Sequence, residues 1–244
     1  MRGTARAAVL AAALVLTGCA AAERGAPSGP LAELGPPTAP RHDLPVAAVD
    51  PADADAVPVA ELPDPAWLRE TAERTGIPRR ALAAYAGAAL RTSWTEPGCG
   101  LGWNALAGIG AVESVHGSYL GARAGADGIV HPPIIGIPLD GSDGVMEILD
   151  TDGGELDGDD RFDRAVGPLQ FIPTTWGRHA RDGDLDGRTD PHQIDDAALT
   201  AAGYLCSAGG DVTTDEGWAD ALTTYNRSLS YAHDVTDLAV SYIG

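Results

Sequence analysis

Beyond residue 63 apolar positions recur at helical spacing through most of the chain, and no alternation long enough to predict a strand interrupts them. Asp64 is placed to cap a first helix, with Pro65 at its opening position, Trp67 and Leu68 inside it and a stop at Gly76. Ile77-Pro78 opens a second, Ala-rich helix that runs to about Arg91. A third is predicted through Leu101-Gly-Trp-Asn and the residues after it, where Ala105 to Val112 carry no polar side chain before the run meets Glu113. Leu106, Ile109 and Glu113 fall at i, i+3 and i+7, so a carboxylate shares the apolar stripe. Burial disfavours the ionised form of a carboxyl, which suits a general acid. The alternative is a helix-end Glu that reaches water or caps a loop amide. Further helices are expected over residues 173–180, 195–206 and 216–225, after which Tyr231, Val235, Leu238 and Tyr242 keep the helical interval. The fold class is therefore mainly α.

Two stretches lack this pattern. Between residues 117 and 165 Gly, Pro and Asp replace it; an insert of that length in a domain usually has a function, such as a cleft wall or lid. Residues 19–62 are Ala, Pro, Gly and Asp without periodicity and read as a flexible Pro/Ala-rich tether, with a reach of about 35 Å. Residues 63–244 then form one domain. At the N-terminus Arg2 and Arg6 precede a short apolar run, Ala7 to Leu16, where a membrane-spanning helix needs roughly 20 residues. Residues 1–18 thus read as a signal peptide. Its end, Leu16-Thr-Gly-Cys19, resembles the bacterial lipobox, which implies lipidation at Cys19; an ordinary cleaved signal with an incidental Cys is the other reading. An extracytoplasmic protein attached to the membrane through a lipid anchor only is expected.

Composition narrows the partners. The 35 acidic residues face 16 basic ones, all Arg, for a formal charge of -19. That field repels phosphate backbones, so no nucleic acid is expected as a partner. Setting Cys19 aside leaves Cys99 and Cys206, an even pair in an exported protein, so a bridge between them is the economical reading and two buried thiols the other.

Several common sites are absent: the chain has no G-x-S-x-G, no H-E-x-x-H, no phosphate-binding Gly-rich loop and no CxxC. Glu113-x-x-His116 has the spacing of a di-metal ligand pair but occurs once, so His116 reads as a structural or cleft residue. Asp182-Gly-Asp184-Leu-Asp186-Gly187-Arg188-Thr-Asp190 follows an EF-hand loop without its final Glu, since Gln193 stands there and Asp195 or Asp196 would have to close the site. Calcium on Asp182, Asp184, Asp186, Arg188 and Asp190 is one reading and a solvated acidic turn the other. The Asp-rich run from Asp150 to Asp159 is a weaker second cluster.

Three segments occur in order: Gly108-Ile-Gly-Ala-Val-Glu113-Ser114-Val-His-Gly117, then Ala165-Val-Gly167-Pro-Leu-Gln170-Phe171-Ile-Pro173-Thr-Thr-Trp176, then Thr224-Tyr225-Asn226. Together they resemble lytic murein transglycosylases of the membrane-bound type B family, over nearly all of the domain. The resemblance implies a lysozyme-like fold and cleavage of peptidoglycan glycan strands between N-acetylmuramic acid and N-acetylglucosamine with a 1,6-anhydromuramic product. It implies Glu113 as the single acid/base, Ser114, Gln170, Phe171, Tyr225 and Asn226 as substrate-binding residues, a structural calcium ion and no catalytic cofactor, in a monomer. One departure is Arg227, where many relatives have a small residue. Glycosidases usually pair two carboxylates; a muramic sugar brings its own acetamido group, so one can suffice. A hydrolytic muramidase using Asp160 or Asp163 as well, and a non-catalytic wall-binding lipoprotein, are the alternatives.

Overall fold

Asp64 accepts hydrogen bonds from the backbone N–H groups of Ala66 and Trp67 (2.9 and 2.8 Å), starting helix α1 (Pro65–Thr75), which Gly76 ends. The computed structural model describes residues 35–142 and 145–244. The signal peptide and Cys19 lie outside the described residues. Six more helices follow: α2 (Arg79–Thr95), α3 (Trp103–Ser114), α4 (Pro173–His179), α5 (Ile194–Gly209), α6 (Asp215–Tyr225) and α7 (Leu229–Ser241). The described residues are mainly α, as the periodicity predicts. None of these helices is long and apolar enough to cross a membrane.

Helix α3 is the centre of the core. It is buried along its whole length except Ala111 and Val112, as an apolar stretch without a polar face requires. It packs against α7 and α2, while α5 packs against α2 and α6. Cys99, just before α3, is bridged to Cys206 in α5, with Cα atoms 5.4 Å apart across 107 positions. Closing a loop of that length stabilises by at most about 4 to 5 kcal/mol in the chain-entropy account.

The insert is not structureless. β1 (Arg123–Ala124) pairs antiparallel with β2 (Val130–His131), and β3 (Ile135–Pro138) with β4 (Arg164–Val166). Between β3 and β4 the aspartates cap the loop's own amides. Asp150 accepts from the N–H groups of Asp152, Gly153 and Gly154, and Asp157 from those of Asp159 and Arg164. These local bonds replace the missing periodicity, which is why the segment gives no strand signal.

The tether expected over residues 19–62 is corrected for its second half. Residues 35–62 lie on the domain: Val59 and Leu62 are fully buried, and 3-10 turns form at Pro51–Ala56 and Val59–Glu61. The carbonyl of Val59 comes so near Gly87 of α2 that a Cβ there would stand 1.7 Å from it, so only Gly admits the contact. Asp43 accepts a hydrogen bond from the N–H of Trp103, and its own N–H donates to Asn104 Oδ1, both at 3.0 Å. His42 meets the Trp218 ring edge-on at 5.3 Å. A few well-placed contacts, none of them periodic, hold this strap.

Candidate active site

Glu113 sits in the last turn of α3 and is 1% exposed. Its Oε1 accepts a hydrogen bond from the Tyr231 hydroxyl of α7 at 2.7 Å. The chain leaves α3 through Val115, His116 and Gly117, all at positive φ, a turn that the L residues Val115 and His116 adopt at some strain. His116 is buried, with Nε2 3.1 Å from the Tyr242 hydroxyl, and burial holds its pKa down to about 4. It is neutral and structural at neutral pH.

The loop of residues 166–171 is pinned against this region. Ser114 Oγ donates to the Pro168 carbonyl at 2.6 Å and accepts from the Gly117 N–H at 2.8 Å. The Tyr225 hydroxyl donates to the Leu169 carbonyl at 2.8 Å, and the Gln170 amide donates to the Gly167 carbonyl at 2.9 Å. The rings of Tyr225 and Tyr231 stack, 6.5 Å between centroids and 7° between planes, which links the Glu113 partner to the cleft side.

Gln170 stands between two cavities. The first, about 170 Å³, is lined by Met146 and Ile148 of the insert, by Gln170, Phe171, Ile172 and Thr175, by Tyr204 of α5, and by Thr224, Tyr225, Asn226 and Arg227 at the end of α6. The second, about 230 Å³, lies along Ile134 to Ile137, with Tyr119, Leu120, Leu139, Arg164, Ala165 and Gln170. The insert therefore walls both. Among the described residues, none that lines either cavity is acidic. Glu113 lines neither.

Of the predicted site residues, Gln170, Phe171, Tyr225 and Asn226 share the first cavity. Phe171 packs on Trp176, Tyr204 and Tyr225 with centroids 5.5 to 6.4 Å apart. Asn226 accepts from the Ser228 N–H at 3.0 Å and fixes the entry to α7. Ser114 is fully buried, and its hydroxyl, engaged at Pro168 and Gly117, ties the loop to the end of α3. Asp163, weighed as a second carboxylate, is buried and accepts from the Thr151 N–H and hydroxyl. Asp160 is exposed, and neither is among the described residues that line these two cavities. Tyr231 is the partner that sequence reasoning missed; it occupies an apolar-stripe position, and the one signal was a hydroxyl where Leu would pack as well.

In the acidic loop the structure brings together Asp182, Asp184 and Asp196, with one oxygen of each within 4.8 Å of the others. Asp186 and Asp190 stay out of this group: Asp186 accepts from the Arg188 N–H, and Asp190 from the His192 N–H. Burial pushes the Asp196 carboxyl up to about 7, the nearby Asp184 charge adding to it. Asp195 is instead held by Arg80 at 2.7 and 2.6 Å. A hard divalent cation fits three such carboxylates and relieves their repulsion.

Residues 163–219 match the family model described as the transglycosylase SLT domain. The match includes Gln170, Phe171 and the acidic loop, and ends short of Glu113 on one side and Tyr225 on the other. Two solved structures are similar. One is the Escherichia coli lytic transglycosylase SLT35 in complex with bulgecin A (14% identity, 72% of this chain and 77% of that chain, TM-score 0.43). The other is SltB3 from Pseudomonas aeruginosa in complex with NAG-anhNAM-pentapeptide (17% identity, 81% and 72%, TM-score 0.43). No curated protein matches the chain.

Proposed function

We propose that this chain is a peptidoglycan lytic transglycosylase with a lysozyme-like, mainly α fold, which cuts glycan strands between N-acetylmuramic acid and N-acetylglucosamine and leaves a 1,6-anhydromuramic end. The observation that carries the reading is the Glu113 carboxyl, 1% exposed and held by Tyr231, near two cavities whose described linings include no acid. The SLT match over the cleft loop supports it. Removal from water favours a protonated carboxyl, ready to give its proton to the glycosidic oxygen. As that bond breaks, the sugar's acetamido oxygen closes on C1. The ionised Glu113 then takes the proton of the C6 hydroxyl, O6 attacks C1, the acetamido oxygen leaves, and no water is consumed. Tyr225, Asn226 and Gln170 hold the strained ring against the Phe171 wall. Mass spectrometry of digested murein tests it: anhydro ends are expected, and reducing ends alone would make the protein a hydrolase.

Three finer readings belong here. Membership of the membrane-bound type B subgroup is supported by the ordered Glu113-Ser114, Gln170-Phe171 and Tyr225-Asn226 segments. Lipidation at Cys19, anchoring the protein outside the cytoplasmic membrane, is supported by the lipobox-like Leu16-Thr-Gly-Cys19; Cys19→Ala is expected to release the protein from membranes, and an unchanged mass and membrane fraction would rule the anchor out. A structural calcium ion is supported by the Asp182, Asp184 and Asp196 cluster. Such an ion, bound only to the folded state, stabilises by about 2.7 kcal/mol at a hundredfold excess over Kd. A higher melting temperature in millimolar calcium than in chelator is expected, and Asp196→Asn should abolish the difference; equal melting temperatures would dismiss the ion.

A further inference from the structure

We propose that Arg227 pairs with a carboxylate of the muramyl unit, that of its lactyl group or one on the attached peptide stem, and so selects muramyl strands over neutral glycans. This rests on reading the chain as a murein-cleaving enzyme. With 35 acids against 16 Arg, the field of the whole chain repels an anionic polymer. Around the cleft the balance reverses: the described linings of the two cavities include no acid and one Arg each. The two are not equivalent. Arg164 donates to Asp159 through Nε and Nη2 at 2.9 and 2.8 Å and to the Gly136 carbonyl, so its charge is already matched. Arg227 has no ion-pair partner among the described residues.

Its backbone is nonetheless fixed. Arg227 follows Asn226, which is 5% exposed and accepts from the Ser228 N–H, and precedes Ser228, whose hydroxyl caps α7. A guanidinium offered from a fixed backbone at a cleft mouth presents paired donors to a carboxylate. Along a murein strand N-acetylglucosamine is neutral; the carboxylates come from the muramyl unit and its stem.

The test measures binding with the Glu113→Gln protein, so that no ligand is consumed, using three tetrasaccharides: a muramyl strand with stems, the same strand freed of stems so that its lactyl carboxylate is exposed, and chitotetraose. Arg227→Gln is expected to weaken carboxylate-bearing strands by about tenfold, less at high salt, with chitotetraose unchanged and Arg227→Lys intermediate. Because a stem ties up the lactyl carboxyl as an amide, a loss confined to stem-bearing strands assigns a stem carboxylate, a loss confined to stem-free strands assigns the lactyl carboxylate, and a loss on both shows that the guanidinium takes either. An equal loss on all three ligands, or none on the charged ones, overturns the pairing. If the protein with Arg227 intact bound none of them, the functional reading would fall and the pairing with it; anhydro products from the wild type together with no Arg227 effect would sink the pairing alone.

Discussion

Glu113→Gln is expected to lower murein cleavage by about 10² to 10⁴, the range for losing general acid/base help, while leaving the fold in place. Gln keeps the length and volume of the side chain, and its amide oxygen still accepts the Tyr231 hydrogen bond that Oε1 accepts at 2.7 Å. What it loses is the ability to give up a proton and take one back. The two halves of the reaction need the same group in opposite states, so one substitution stops both. The readout is the rate of release of anhydro-ended fragments, set beside the melting temperature. Near-normal cleavage would remove Glu113 from the mechanism; a collapsed melting temperature would show a structural role instead. Among the described residues no other carboxylate stands ready to substitute, since none of them that lines either cavity is acidic and Asp163 is engaged by Thr151.

The helices were legible because their signals are local. Asp64, Pro65 and Gly76 mark α1 in the sequence where its ends fall in the structure, and the unbroken apolar run of α3 requires burial on all sides. Glu113 was legible for the same reason, as a carboxyl inside that run. Tyr231 was not, because a stripe position reports that a side chain is buried and says nothing of what its hydroxyl meets. The strap over residues 35–62 was hidden for a related reason. Its hold comes from single contacts, such as Val59 on Gly87 and Asp43 on Trp103, and these carry no period. Asp196 as the third carboxylate of the acidic loop depends on how α5 returns beside that loop. The sequence leaves Asp195 and Asp196 equivalent until Arg80 claims the first.

Gly167→Ala is expected to cost about 3 to 5 kcal/mol of stability, from forcing a non-Gly residue to positive φ and from backbone overlap. Gly167 has φ +78, and a Cβ added there would stand 1.8 Å from the Pro191 carbonyl oxygen, a backbone atom with no rotamer to yield. The damage would not stay local. The next three residues carry the bonds that assemble the site: Pro168 receives the Ser114 hydroxyl, Leu169 receives the Tyr225 hydroxyl, and Gln170 bonds back to Gly167 while standing between the cavities. A shift of the loop therefore moves the Glu113 helix end, the stacked tyrosines and the cleft divider together. Cleavage should fall at least as far as with loss of a single ring contact, about tenfold or more, even at temperatures where the variant is still folded. Chemical denaturation and product assays at low temperature separate the two effects. A variant with unchanged denaturation midpoint and full activity would mean that the 166–171 loop adapts freely, and the loop could not then be what holds the cleft to Glu113.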